Sequence, residues 1–136
     1  GDVDVLSASA DDGKVAWYEN DGSQSFTERV VTDSAGYTYT TCLYATDVND
    51  DGSMDVLLAR NDDGHVVWYE NDGSQSFTER VVSGTMFATR TVYAIDVDGD
   101  GDVDALSASY SQDTVAWFEN DGSQSFTERV VAPSAD

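Results

Sequence analysis

An all-β fold built from a repeated unit of four short antiparallel strands is predicted by three observations. A thirteen-residue string, Glu-Asn-Asp-Gly-Ser-Gln-Ser-Phe-Thr-Glu-Arg-Val-Val, occurs three times, beginning at Glu19, Glu70 and Glu119. Short apolar runs rich in Val, Tyr and Trp alternate with turns rich in Gly, Asn and Asp. An apolar period of about 3.6 residues is not sustained in any segment, so helices are not expected.

The middle copy of the repeat shows the expected elements in chain order. Its strands are predicted at residues 42–48, 55–60, 65–70 and 77–82. An aspartate-rich loop follows the first strand, and turn-forming sequences containing Asn, Asp and Gly follow the second and third. Because these connections are short, neighbouring strands are expected to be antiparallel.

The third predicted strand is apolar on both faces, which indicates how the sheets are arranged. Val66 and Trp68 lie on one face, whereas Val67 and Tyr69 lie on the other. A small sheet covered on both faces, repeating about every 40 to 50 residues, is typical of a β-propeller blade.

The expected domain is therefore a single β-propeller segment of about two and three-quarter blades, which forms an incomplete ring on its own. Each blade is expected to have four antiparallel strands. A partial blade lacking its first strand is predicted at residues 1–31, and complete blades are predicted at residues 42–82 and 91–131.

Composition and charge exclude several classes of function. The formal net charge is −21 with only six Lys and Arg residues, which excludes binding to nucleic acid phosphates. A disordered acidic segment is excluded by the content of Trp, Tyr, Phe and Val. No apolar run reaches the roughly 18 residues needed to cross a bilayer, so membrane insertion is not expected. The lone Cys42 is expected to be a small buried residue.

Two loops between first and second strands read D-x-[DN]-x-D-G-x-x-D, at residues 47–55 and 96–104. Calcium prefers six to eight oxygen ligands, and oxygen side chains at alternate positions of a tight loop converge on one point. Side chains at the first, third, fifth and ninth positions are expected ligands, with the backbone carbonyl of the seventh. A metal-free acidic turn is the alternative, but it would suffer from charge repulsion. Magnesium is disfavoured because it requires a stricter octahedron.

The loops are not EF-hands, because the twelfth position is Leu58 in one and Ser107 in the other, where an EF-hand has Glu. With the Val-x-Trp-[Tyr/Phe]-Glu-Asn-Asp-Gly segment that follows, they resemble the FG-GAP/VCBS repeat family across nearly the whole chain. The resemblance implies a propeller, often of about seven blades, with calcium in these loops, as in integrin α-subunit heads and certain lectins. It also implies an extracellular or cell-surface location.

The ligands that the resemblance implies are Asp47, Asn49, Asp51, Ser53 and Asp55 in one loop, and Asp96, Asp98, Asp100, Asp102 and Asp104 in the other. Asn49 replaces an acid and lowers the charge of its loop. Residues 1–4 repeat the sequence of residues 101–104, so Asp2 and Asp4 form half of a third loop. We therefore expect a segment of a longer repeat protein, with the remaining blades in the same parent chain or in an oligomer.

Connections on the edge opposite the aspartate loops differ between copies, and they are where a protein or glycan ligand would bind. The candidate contacts are Tyr37, Tyr39, Met86, Phe87 and Arg90, whose alternative role is to pack between blades. His65 is the only histidine, and no catalytic constellation stands out, so an enzyme is not expected. The expected function is a calcium-binding structural or adhesion module. A lectin-like propeller and a non-catalytic segment of a secreted enzyme are the alternatives.

Overall fold

The computed structural model describes residues 2–34 and 40–132, and within them the predicted all-β fold is confirmed. The described residues contain no helix long and apolar enough to span a bilayer. The strands are β1 (Val5–Ala8), β2 (Val15–Asn20), β3 (Phe26–Thr32), β4 (Thr40–Thr46), β5 (Asp55–Arg60), β6 (Val66–Asn71), β7 (Phe77–Ser83), β8 (Thr89–Ile95), β9 (Asp104–Ser109), β10 (Thr114–Asn120) and β11 (Phe126–Ala132).

These strands form three antiparallel sheets in which neighbours in the chain are neighbours in space. The first sheet has three strands, β1 to β3, whereas the second (β4 to β7) and third (β8 to β11) have four each. The register repeats between sheets, because Leu6 opposes Trp17, Leu57 opposes Trp68 and Leu106 opposes Trp117. The prediction of one partial and two complete propeller-type sheets is therefore confirmed.

The first strand of the middle sheet ends earlier than the sequence predicted. Val48 was expected to end this strand, but β4 stops at Thr46 and Val48 lies in the aspartate loop. Val48 is buried, with 3% of its surface exposed, because it packs between the second and third sheets. The strand was predicted to be too long because Val48 is apolar for packing between sheets and not for a place in the strand.

Apolar faces of adjacent sheets pack against each other and form the core in two parts. The first interface joins the first and second sheets and contains Leu6, Val15, Val56, Leu58, Val67 and Tyr69. The second interface joins the second and third sheets and contains Leu57, Trp68, Val92, Ala105 and Phe118, with the half-buried Cys42 against it. The middle sheet is thus covered on both faces, as its sequence predicted.

The two edges of the stacked sheets have different compositions. One edge, which we call the aspartate edge, carries residues 47–54 and 96–103 together with the turns that follow β2, β6 and β10. The other, which we call the variable edge, carries residues 61–65 and 84–88. Backbone hydrogen bonds hold these two segments together, from Met86 N to Gly64 O (3.0 Å) and from Ala88 N to Asn61 O (3.0 Å).

Candidate metal centres

The loop at residues 96–104 brings three carboxylates together. One oxygen each of Asp96, Asp98 and Asp104 lie within 4.8 Å of one another. Calcium binds oxygen at about 2.3 to 2.6 Å, so two oxygens on one ion are at most about 5 Å apart. These three carboxylates therefore fit the coordination sphere of a single calcium ion.

Hydrogen bonds from the backbone to its own side chains hold this loop in shape. Asp96 accepts from Gly99 N (2.7 Å) through one oxygen and from Gly101 N (3.1 Å) through the other. Asp100 Oδ1 accepts from Asp102 N at 2.9 Å. Gly101 has a φ of 102°, in the left-handed region that favours glycine, and this conformation makes the sharp bend.

The ninth residue of each loop joins three parts of its sheet. Asp104 Oδ2 accepts from Val97 N (2.9 Å), and its Oδ1 accepts from Asn120 N (2.8 Å). Asp55 repeats this arrangement with Val48 N (3.0 Å) and Asn71 N (2.8 Å). Each buried carboxylate thus ties the loop after the first strand to the end of the third strand.

Desolvation, and after it repulsion between carboxylates, raises the pKa values of two aspartates in the loop at residues 96–104. Partial loss of hydration raises the pKa of Asp98, and the negative charges of Asp100, Asp104 and Glu119 raise it further. Loss of hydration also raises the pKa of Asp102, and the charges of neighbouring carboxylates raise it further. A bound divalent cation would relieve this repulsion because it would neutralise the charges that face one another.

The loop at residues 47–55 differs at its third position. Asn49 Nδ2 donates to Asp51 Oδ2 (3.1 Å) and to Glu70 Oε1 (3.4 Å). Among the described residues, a convergent carboxylate triple is found only in the loop at residues 96–104. Asp47 still accepts from Asp51 N (3.1 Å) and Gly52 N (2.8 Å), and the second of these bonds is the counterpart of the bond from Gly101 N to Asp96.

The half-loop at the start of the chain is less complete. Asp4 Oδ1 accepts from Asn20 N (2.8 Å), the counterpart of one of the two bonds made by Asp55 and Asp104. Asp2 lies beside the next turn, since a Cβ added at Gly22 would be 2.8 Å from its Oδ2. In the described part of the chain, the half-loop places Asp2 and Asp4 at the aspartate edge without the three preceding ligand positions.

Sequence reasoning missed the part played by the repeated Glu-Asn-Asp-Gly segment, which it treated only as a turn. Asn71 Nδ2 donates to Met54 O (3.1 Å), and Asn120 Nδ2 donates to Val103 O (3.1 Å). A Cβ at Gly122 would lie 2.6 Å from Asp102 Oδ2, so this turn touches the seventh loop position. The constancy of this segment in all copies was the available signal.

The arginines of the outer strands pair with the glutamates of this segment. Arg80 donates to Glu70 Oε2 through Nε (2.9 Å) and Nη2 (2.8 Å). Arg29 bonds Glu19 in the same way, and Arg129 bonds Glu119. Each of these three arginines thus has a glutamate of the repeated segment as its ion-pair partner.

The candidate partner residues on the variable edge have different surroundings. Met86 is 1% exposed and packs within the second interface, so it contributes to the core rather than to a surface. Phe87 is 51% exposed, and the Arg90 guanidinium lies 5.3 Å from the centre of the Tyr110 ring. Tyr37 and Tyr39 lie outside the described residues.

Comparison with known families agrees with the repeat and the loops. The model of the FG-GAP-like repeat matches residues 1–58, 47–107 and 96–136. No curated protein matches the chain. Since these overlapping matches together span the whole sequence, the chain belongs to the FG-GAP-like repeat family.

Proposed function

We propose that this chain is a calcium-binding, non-catalytic structural module of an extracellular or cell-surface β-propeller that takes part in adhesion. The observation that carries the proposal is the convergence of Asp96, Asp98 and Asp104 within 4.8 Å. A second site of lower charge is assigned to residues 47–55, where Asn49 replaces one acid.

The connections of these loops support a structural role for the ion. Asp104 joins the loop to the end of β10, while Gly122 in the following turn lies against Asp102. Calcium bound in this loop would supply positive charge that holds the loop carboxylates together. Three strands and two connections of one sheet would then be restrained at the same edge.

The exposure of the loops suits a calcium site of modest affinity, as is common in extracellular modules. Asp98 and Asp100 are exposed, and the loop is a short surface connection rather than a closed cage. Sites in extracellular modules commonly bind calcium with dissociation constants of about 0.1 to 1 mM, which suits calcium levels outside cells. A calcium-dependent module of this kind would remain loaded there.

Calcium is expected to raise the thermal midpoint of the chain. A site that binds only the folded state adds about 2.7 kcal/mol at a free calcium concentration of one hundred times its Kd. Differential scanning calorimetry of the full chain in calcium and in excess chelator measures this difference. The double variant Asp96→Asn/Asp98→Asn should lose a large part of the shift.

A control that removes the same two charges is Asp11→Asn/Asp62→Asn, at exposed turn positions away from the two aspartate loops. It should keep the full calcium-dependent shift. Isothermal titration should show two classes of site, with residues 96–104 as the tighter one. An identical midpoint in calcium and in chelator would contradict the proposal.

The variable edge is the proposed contact surface because Phe87 is exposed there, and Arg90 is exposed in the strand that follows, over the Tyr110 ring. Aromatic and Arg side chains often anchor protein contacts. The same residues could stack on a sugar, so a glycan array separates an adhesion module from a lectin. We expect that the chain binds no glycan through Phe87. A glycan whose binding is abolished by Phe87→Ala would favour the lectin alternative. Tyr110→Ala provides the comparison on the same edge.

A further inference from the structure

We propose that the variable edge, together with Arg90 and Tyr110 beside it, binds a partner protein through an extended segment that carries a single carboxylate close to an apolar side chain. Arg90 would bind the carboxylate, and the exposed ring of Phe87 would contact the apolar side chain. This inference rests on the contact surface of the proposed function and names the chemistry of its partner. None of these residues belongs to the aspartate loops.

Arg90 differs from every other cation of the chain. The sequence has six Lys and Arg residues against 27 Asp and Glu residues. Among the described residues, the other five cations form ion pairs with carboxylates, and they are Lys14, Arg29, Arg60, Arg80 and Arg129. Arg90 is exposed and forms no ion pair within the described part of the chain. An exposed guanidinium of this kind, in a chain so acidic, is available to a ligand that brings its own carboxylate.

The Tyr110 ring positions the guanidinium of Arg90 without using its hydrogen-bond donors. The guanidinium carbon lies 5.3 Å from the ring centre, within the range of a cation–π contact. The five N–H groups of a guanidinium lie in its own plane, and two of them can bond a carboxylate in parallel. Tyr110 therefore holds Arg90 in place and leaves its donors for a carboxylate.

Phe87 is an aromatic side chain with a fixed position at the variable edge. A Cβ added at Gly64 would lie 3.0 Å from Cδ1 of Phe87, so the ring rests directly on this glycine. Phe87 is nevertheless half exposed. An aromatic ring that is supported on one side and open on the other is a typical anchor for an apolar side chain of a partner.

Four hydrogen bonds join the connection that carries Phe87 to the turn after β9. They run from Ser109 Oγ and Ser111 Oγ to Phe87 O, from Gln112 Nε2 to Thr85 O (3.0 Å) and from Tyr110 N to Ala88 O (3.2 Å). Because the same turn carries Tyr110, these bonds fix Phe87 and Arg90 relative to each other. A site that is already ordered loses little conformational freedom on binding, which favours affinity.

The charges around this site limit how acidic the partner segment can be. The aspartate loops lie at the other end of the strands, and a strand of six residues spans about 20 Å, well beyond the Debye length of about 8 Å at physiological ionic strength. Asp62 is exposed at the variable edge, however, and Asp113 is exposed in the turn after β9. They would repel a run of acidic residues, so a single carboxylate is the group that suits Arg90.

A set of synthetic peptides tests this pairing. Each is acetylated and amidated and has one Asp and one Leu, up to three residues apart on a Gly-Ser background, because Phe87 and Arg90 are three residues apart in the chain. NMR titrations of the ¹⁵N-labelled full chain should show saturable shifts at Phe87, Arg90 and Tyr110. Replacing the Asp of a bound peptide with Asn should weaken binding about tenfold or more, because hydrogen bonds between charged groups are stronger than neutral ones.

Variants of the chain locate the carboxylate. Arg90→Gln should weaken binding of the Asp peptide about tenfold. Arg80→Gln, on the exposed face of β7, is the matched control with the same charge change and should leave peptide binding unchanged. The charge reversal Arg90→Glu should abolish binding of the Asp peptide and favour a peptide with Lys in its place. Circular dichroism checks that each variant is folded.

The peptide titrations and the calcium experiments fail independently. Peptide binding in calcium that requires both the Asp of the peptide and Arg90 supports this inference, even if calcium leaves the thermal midpoint unchanged. Absence of binding by every peptide would overturn it. Equal binding of the Asp and Asn peptides would overturn it too, as would equal effects of Arg90→Gln and Arg80→Gln.

Discussion

Replacing Trp68 with Ala is expected to lower the free energy of unfolding by about 3 to 5 kcal/mol. Trp68 is 1% exposed and lies in the second interface with Leu57, Ala105 and Phe118. Removing the indole would leave a large cavity between two sheets whose backbones are held by their own hydrogen bonds and cannot close it. Urea denaturation followed by circular dichroism measures the loss.

The matched control is Trp117→Ala, because the same repeat position lies on the outer face of the third sheet. Trp117 is only partly buried and is covered by Arg129, whose guanidinium carbon lies 5.6 Å from the ring centre. Trp117→Ala should lower the free energy of unfolding by less than half as much as Trp68→Ala does. Equal losses would contradict the assignment of the core to the interfaces between sheets.

Asp55→Ala is expected to cost about 2 to 5 kcal/mol, because it leaves two buried backbone N–H groups without acceptors. Asp55 is completely buried, and its carboxylate bonds Val48 N and Asn71 N. Thermal and urea denaturation should be carried out in chelator, so that the loss of a hydrogen-bonded carboxylate is measured apart from the loss of a bound ion.

Asp4→Ala is the corresponding change in the first sheet, where the carboxylate is exposed and, within residues 2–34 and 40–132, accepts only from Asn20 N. We expect a loss of under about 1 kcal/mol, the ordinary net value of one hydrogen bond. If Asp4→Ala and Asp55→Ala lowered the free energy of unfolding by similar amounts in chelator, the second hydrogen bond and the burial of Asp55 would not contribute to stability.

Most of the local structure could be predicted from the sequence. The apolar runs and turn sequences placed the second and fourth strands of the middle sheet within a residue of β5 and β7. The error at Val48 arose because an apolar residue following a strand looks like part of it. Only a neighbouring sheet shows that its side chain serves a different contact.

The ligands of the candidate site could be predicted from the sequence, but the hydrogen bonds that hold the loops in place could not. Alternate aspartates and a glycine indicate a cation loop because they place oxygens around one point. Of the ten residues assigned to the two loops, the structure brings the carboxylates of Asp96, Asp98 and Asp104 together. Asn71 and Asn120 donate to the loops because the third strand of each sheet lies beside its loop. This proximity cannot be predicted from the spacing of residues within the loop.

The sequence by itself determined the repeat, the strands, the turns and the aspartate loops, because these depend on residues close together in the chain. Tertiary structure decided what each copy does with the same residue. Val48 is 3% exposed and Val97 is 43% exposed, although both follow the first aspartate of identical loop patterns. The difference arises because burial depends on the adjacent sheet, and only Val48 has one packed over it among the described residues.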